Sequence, residues 1–192
     1  MARFPCAGQH DRIEVTARID GLEQQENVEI RAFQSHGGVT VCAVRKGSAE
    51  CDEKLLSAPG TRVNYKVHVP TGVNLAARTV NGTIEAHRLS SDVQATTVNG
   101  SIDAALLHGI WTKAPEFSAV NGKIRIDIPN NARTGVNAET RNGRIVASLP
   151  GFRGTSTEQV LSGTIGRAAG GANCLPILIR AVNGSIELRQ NF

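Results

Sequence analysis

The chain has 192 residues, 40% of them apolar, a formal net charge of +4, and five Phe, one Trp and one Tyr as its only aromatics. Such a composition excludes a disordered tail and calls for a core of small and β-branched side chains, here 22 Ala, 17 Val and 14 Ile. Its basic excess falls in 73–192, spread singly and with almost no interleaved aromatics, which argues against nucleic acid. The longest apolar run, Cys174 to Ile179, has six residues, far short of the ~20 of a membrane-spanning helix. No charged n-region followed by an apolar h-region opens the numbering, so a signal peptide is expected to be absent or already removed.

The N-terminal third reads as strands. Ile13, Val15, Ala17 and Ile19 alternate with Glu14, Thr16, Arg18 and Asp20, and Val63, Tyr65, Val67 and Val69 alternate with Asn64, Lys66 and His68. Between them, a two-residue turn on Lys46-Gly47 would set Cys42 opposite Cys51 as a non-hydrogen-bonded cross-strand pair, close enough for a disulfide. Buried free thiols, or zinc held by Cys6, His10, Cys42 and Cys51, are the competing readings of these residues. Cys174 receives no role. Glycines at Gly37, Gly38 and Gly60 suggest degenerate repeats that cap the more regular part of the chain.

From residue 73 a repeat organises the sequence. Asn-Gly-x-Ile recurs at Asn81, Asn99, Asn121, Asn142 and Asn183, and a sixth unit reads Ser162-Gly163-Thr164-Ile165. Its isoleucine column is Ile84, Ile102, Ile124, Ile145, Ile165 and Ile186, at steps of 18 to 22 residues. Alternation on both sides of each Asn-Gly, as in Leu75-Ala77-Thr79 before and Ile84-Ala86 after, predicts one strand on either side of a turn. Asn-Gly is the strongest short signal for a type I′ hairpin, so an antiparallel meander of hairpins is one solution. Identical residues at every step favour another. In a single-stranded parallel β-solenoid with coils of about 20 residues, each Ile and Asn stacks on its own copy in chain order. The expectation is therefore an all-β, single-domain solenoid over 1–192, with 1–72 as cap and degenerate coils and 73–192 as regular coils.

The phrases TVNGTIEA, TVNGSIDA, AVNGKIRID, TRNGRIVA and AVNGSIELR resemble the repeats of bacterial putative-adhesin domains of unknown function, relatives of autotransporter adhesin heads. The resemblance is clear over about residues 60–192. It implies a single-stranded β-helix working outside the cytoplasm, with no established activity and no catalytic residues to carry over.

Chemistry-bearing motifs are sparse. His10, His36, His68, His87 and His108 stand singly without ligand spacing, and no phosphate-binding, nucleophile-elbow or zinc-protease motif occurs. Parallel β-helices can carry glycan-cleaving carboxylates on one face, which makes Glu85 and Asp103, with Arg125 next in the column, the candidates for catalysis. A solvated ladder of opposite charges explains these three residues equally. The sequons at Asn81, Asn99 and Asn183 follow from an Asn-Gly turn ahead of Ser or Thr and require no glycan.

These residues lead to a non-catalytic, extracytoplasmic structural or adhesin-like surface module. It needs no cofactor or metal, and its partner is a protein or glycan surface. The alternatives are a carbohydrate-active β-helix enzyme and an accessory or sensor partner of an envelope protein.

Overall fold

The computed structural model describes residues 2–3, 13–20, 28–35, 38–48, 51, 62–107, 111–166 and 175–191. Alternating apolar residues build every major strand, and the strands collect into two large sheets and one hairpin. The eight-stranded sheet contains β1 (Ala2–Arg3), β2 (Glu14–Asp20), β5 (Arg62–His68), β7 (Ile84–Leu89), β9 (Ile102–Leu106), β11 (Ile124–Pro129), β13 (Ile145–Ser148) and β17 (Ile186–Asn191). Its spatial order is β1-β2-β5-β7-β9-β11-β17-β13. The seven-stranded sheet contains β6 (Leu75–Asn81), β8 (Val93–Asn99), β10 (Glu116–Asn121), β12 (Thr134–Asn142), β14 (Arg153–Ser156), β15 (Val160–Ile165) and β16 (Ile177–Asn183), in the order β14-β15-β12-β16-β10-β8-β6. The hairpin pairs β3 (Val28–Ser35) with β4 (Gly38–Arg45).

The core lies between the two large sheets. Ile84, Ile102, Ile124 and Ile186 are at most 1% exposed, as are Phe117, Ile177 and Ile179 from the facing sheet. Each Asn-Gly passes the chain from one sheet to the other, so β6 leads to β7, β8 to β9, β10 to β11, β12 to β13 and β16 to β17.

The expectation of a single-stranded parallel β-solenoid is not met. A solenoid grows by laying each coil on the one before it, with all strands parallel. Here both large sheets are mixed: β1, β2 and β5 pair antiparallel at one end, and β12, β15 and β14 at the other. The last strand pair also does not end the stack. β16 lies between β10 and β12, and β17 lies between β11 and β13. The meander of hairpins fails too, because β6 and β7 belong to different sheets and Thr79 pairs with Thr97 rather than with Ile84.

The sixth unit departs most. Ser162 lies on antiparallel β15 opposite Asn137, and its Oγ donates to Asn137 Oδ1 at 2.8 Å instead of interrupting an asparagine row. Ile165 is buried, but it faces Thr134 and stands outside the isoleucine row. The five remaining isoleucines are in register on parallel strands, in the order Ile84, Ile102, Ile124, Ile186, Ile145.

Glycine in the Asn-Gly pair has a reason other than turn type. A type I′ turn needs positive φ at both residues, yet none of Gly82, Gly100, Gly122, Gly143 and Gly184 is among the positive-φ glycines. What the five share is close approach. A Cβ on Gly100 would stand 1.7 Å from the Gly82 carbonyl oxygen, one on Gly122 1.8 Å from that of Gly100, and one on Gly184 1.9 Å from that of Gly122. Backbone packs on backbone at these corners, and only a residue without a side chain fits.

In the hairpin, β4 pairs with the preceding β3, so Cys42 stands opposite Arg31. The chain then turns at Lys46-Gly47, where Ser48 N donates to Arg45 O at 2.8 Å and Gly47 has φ +86°. Cys51 returns to form a disulfide with Cys42, Cα to Cα 5.8 Å, although it lies in no strand. The bond therefore closes a loop beside the hairpin and does not link two paired strands. Cys6, Cys174, His10, His36 and His108 lie outside the described residues.

Candidate functional site: the outer rows of the eight-stranded sheet

Parallel register turns the sequence repeats into rows across the sheet exterior. In one row Lys66, Glu85, Asp103, Arg125, Glu187 and Val146 follow one another on β5, β7, β9, β11, β17 and β13. They project outward because their neighbours in sequence, Ile84, Ile102, Ile124 and Ile186, project inward. Arg125 is the hinge of the row: its guanidinium lies 3.4 Å from Asp103 Oδ2 and 3.5 Å from Glu187 Oε2. Lys123 and Arg189 also pair with Glu187. The Lys123 ammonium, together with the Arg189 charge, holds the Glu187 carboxyl below its ordinary value.

Glu85 and Asp103, the catalytic candidates, are thus neighbours in one outward row, with Asp103 bound to Arg125. Glycoside cleavage needs two carboxyls flanking a scissile bond within a shaped site. Here Glu85 is exposed and Asp103 is held by Arg125 on the sheet exterior. Glu187, Lys123 and Arg189 complete the ion-pair group and were missed in the sequence. Glu187 joins the row only because β17 inserts beside β11, which no spacing rule anticipates.

A second row runs along the corners. Asn99 Nδ2 donates to Asn81 Oδ1 at 2.9 Å, and Asn121 to Asn99, Asn183 to Asn121 and Asn142 to Asn183 at 2.8 Å each. The order expected from the sequence placed Asn142 directly after Asn121; the structure puts Asn183 between them. Behind this row, Thr97 Oγ1 donates to Gly82 O at 3.2 Å and Thr140 Oγ1 to Gly184 O at 2.9 Å, so both buried hydroxyls are satisfied at the corner backbone.

Asp92, in the turn before β8, anchors the segment that leads into β10. Its carboxylate accepts from the Thr112 amide at 2.8 Å, the Lys113 amide at 2.9 Å and the Thr112 hydroxyl. These bonds, the Thr112 hydroxyl foremost, hold its carboxyl below the usual range. Among the described residues no group of three or more His, Cys, Asp or Glu side chains could hold a metal ion. His68 and His87 stand opposite each other on β5 and β7 without a third partner of that kind. Among the same residues, no helix is long and apolar enough to cross a membrane.

No family model matches the chain, and no curated protein matches it either. Among solved structures, the chain is similar to a protein of Clostridium sporogenes described as a "putative cell adhesion protein". The TM-score is 0.57 and the identity 14%, over 92% of this chain and 82% of that one. At that identity the likeness is one of fold, and the fold it supports is the all-β architecture described above.

Proposed function

We propose that this chain is a non-catalytic, adhesin-like module that works outside the cytoplasm and meets a protein or glycan surface through the exterior of its eight-stranded sheet. One observation carries the reading: Asp103 and Glu187 of that face lie in a row and are tied to Arg125, Lys123 and Arg189, not gathered around a cleft. A face with both signs of charge fixed in a row suits recognition of another polar surface, where register and complementarity select the partner. The Cys42–Cys51 bond supports an oxidising compartment, since disulfides persist there and are rare in the cytosol. The solved neighbour's description as a cell adhesion protein is in keeping with this reading.

The test is binding to an array of bacterial and host glycans and envelope proteins, run beside an assay for released oligosaccharide. Binding weakened by Arg125→Ala, with no product released, is the expected result. Glycan cleavage that Glu85→Gln with Asp103→Asn abolishes would overturn the non-catalytic reading.

A further inference from the structure

The two large sheets are offset. Five strands of the eight-stranded sheet (β7, β9, β11, β17 and β13) have a counterpart joined to them through an Asn-Gly corner, but among the described residues β5 has none, because the facing sheet stops there at β6. Beneath β5, between the β6 edge and the β3–β4 hairpin, lies a groove of about 800 Å³. This size falls within the ~300–1,000 Å³ of ordinary ligand sites. Tyr65 and Val67 form its roof, Leu75 and Ala77 one wall, and Val39 and Val41 the other.

The wall on β6 is an open strand edge. Leu75 N donates to Asp92 O of the β8 side at 2.9 Å. Alternation along a strand then directs the amides and carbonyls of Ala76 and Arg78 to the opposite side, where no strand pairs with β6 among the described residues. Both residues are exposed. Among the described residues Arg78 is the one charged residue lining the groove, and it has no ion-pair partner there.

We propose that this groove captures an extended peptide strand from a partner protein, added alongside β6 and opposite β5, with apolar residues at alternate positions and an acidic side chain against Arg78. Three features select that occupant. The open amides and carbonyls demand an extended main chain, the apolar walls and roof demand period-2 apolar side chains, and the unpaired guanidinium demands a carboxylate. This inference concerns a different surface from the outer rows and stands apart from the function proposed for them.

The probe is a labelled, end-blocked peptide Thr-Val-Glu-Val-Glu-Val-Thr, compared with its Lys-for-Glu version and with a version N-methylated at alternate amides. Anisotropy should show binding of the acidic peptide at least about tenfold tighter than either control, a difference of about 1.4 kcal/mol. Amide exchange at Ala76 and Arg78 should slow when it binds. Arg78→Glu, an exposed change, should reverse the preference towards the lysine peptide. Ala76→Pro should weaken binding of the acidic peptide, since it removes an edge donor and no ladder bond. Unchanged exchange at Ala76 and Arg78, or a charge preference indifferent to Arg78→Glu, would overturn the proposal. So would an edge already protected in the free monomer, or one covered by a second copy in sedimentation.

Discussion

Asn183 donates its side-chain amide to Asn121 at 2.8 Å across a separation of 62 residues, and receives that of Asn142 at the same distance. One residue near the end of the chain therefore joins two strand pairs that precede it. Without β16 and β17, the pairs β10/β11 and β12/β13 have no direct contact ladder between them.

Deletion of 176–192 should for this reason remove the central strand of the seven-stranded sheet and detach β13 from the eight-stranded one. A terminal coil of a solenoid could be trimmed with local fraying, because each unit contacts only its neighbours. Here the expected outcome is loss of one cooperative transition and exposure of Ile124 and Ile145 surroundings, seen as dye binding and broad exchange. A truncated chain with an intact, merely shifted thermal transition would contradict this strand order.

Asn121→Ala removes two links of the exposed row. Each such bond is worth about 0.5–1.5 kcal/mol net, and exposure places these at the lower end, so a loss of about 1 kcal/mol is expected from urea unfolding. The same change at Asn142, the end of the row, breaks one link of it and should cost about half as much.

The strands, their inward faces and the isoleucine and asparagine positions were legible in the sequence because period-2 alternation and a repeated corner are local signals. Their stacking order was not. Ile145 and Ile186 carry the same motif, and nothing in either decides which of them lies beside Ile124. Ser162-Gly163-Thr164-Ile165 matched the motif and still joined an antiparallel strand, since Gly163 packs against the Arg153 backbone and not in the corner column. Glu85, Asp103 and Arg125 were correctly read as one row, but the Glu187 that completes its ion pairs depends on long-range order. The Cys42 and Cys51 pairing followed from spacing, while the strand opposite Cys42 did not, because β4 found its partner upstream.

Among the described residues Arg88 is the one non-glycine residue with positive φ, at 62°. It sits where β7 carries an extra residue against β9, between the Ala86–Ala104 and Leu89–Leu106 pairs. A side chain in the left-handed region costs roughly 1–2 kcal/mol, and glycine relieves that while adding about 0.5–1 kcal/mol of unfolded-chain entropy. Arg88→Gly should therefore be neutral to mildly stabilising, by up to about 1 kcal/mol, whereas Arg88→Val should be clearly destabilising. Equal stability of the two variants in denaturant unfolding would mean the bulge is not strained.

Stability should fall at both ends of the pH range. Asp92 and Glu187 have lowered pKa values, so the stability they contribute is present above the ordinary carboxylate range and lost as pH falls through their folded values. Asp92→Asn should flatten part of the decline below about pH 4. Tyr65 acts at the other end. Burial is the main cause that pushes its phenol from 10.0 to about 12, against a smaller opposite effect from a hydrogen bond with the Ala43 backbone. Its contribution is complete below pH 10 and disappears between pH 10 and about 12, by about 2 kcal/mol. Urea midpoints across pH 8–12 should show that loss in the wild type and much less of it in Tyr65→Phe.

Gly122→Ala tests the corner directly. The added methyl would stand 1.8 Å from the Gly100 carbonyl oxygen and 2.5 Å from its carbon, both backbone atoms. Neither can swing aside as a flexible side chain would, because Gly100 is itself stacked 1.7 Å, measured from a Cβ position, above the Gly82 carbonyl. The strand pairs must separate locally, which breaks the Gly100 N to Asn121 O bond of 3.0 Å and tilts the asparagine row. Overpacking of a well-packed interior costs about 1–3 kcal/mol, and backbone-on-backbone contact should place this change at or above the upper figure. Gly47→Ala, by contrast, meets nothing within 4 Å and suffers only from its φ of +86°, so it should cost about 1–2 kcal/mol. A Gly122→Ala protein as stable as the Gly47→Ala protein would show that the corner column is looser than these contacts require.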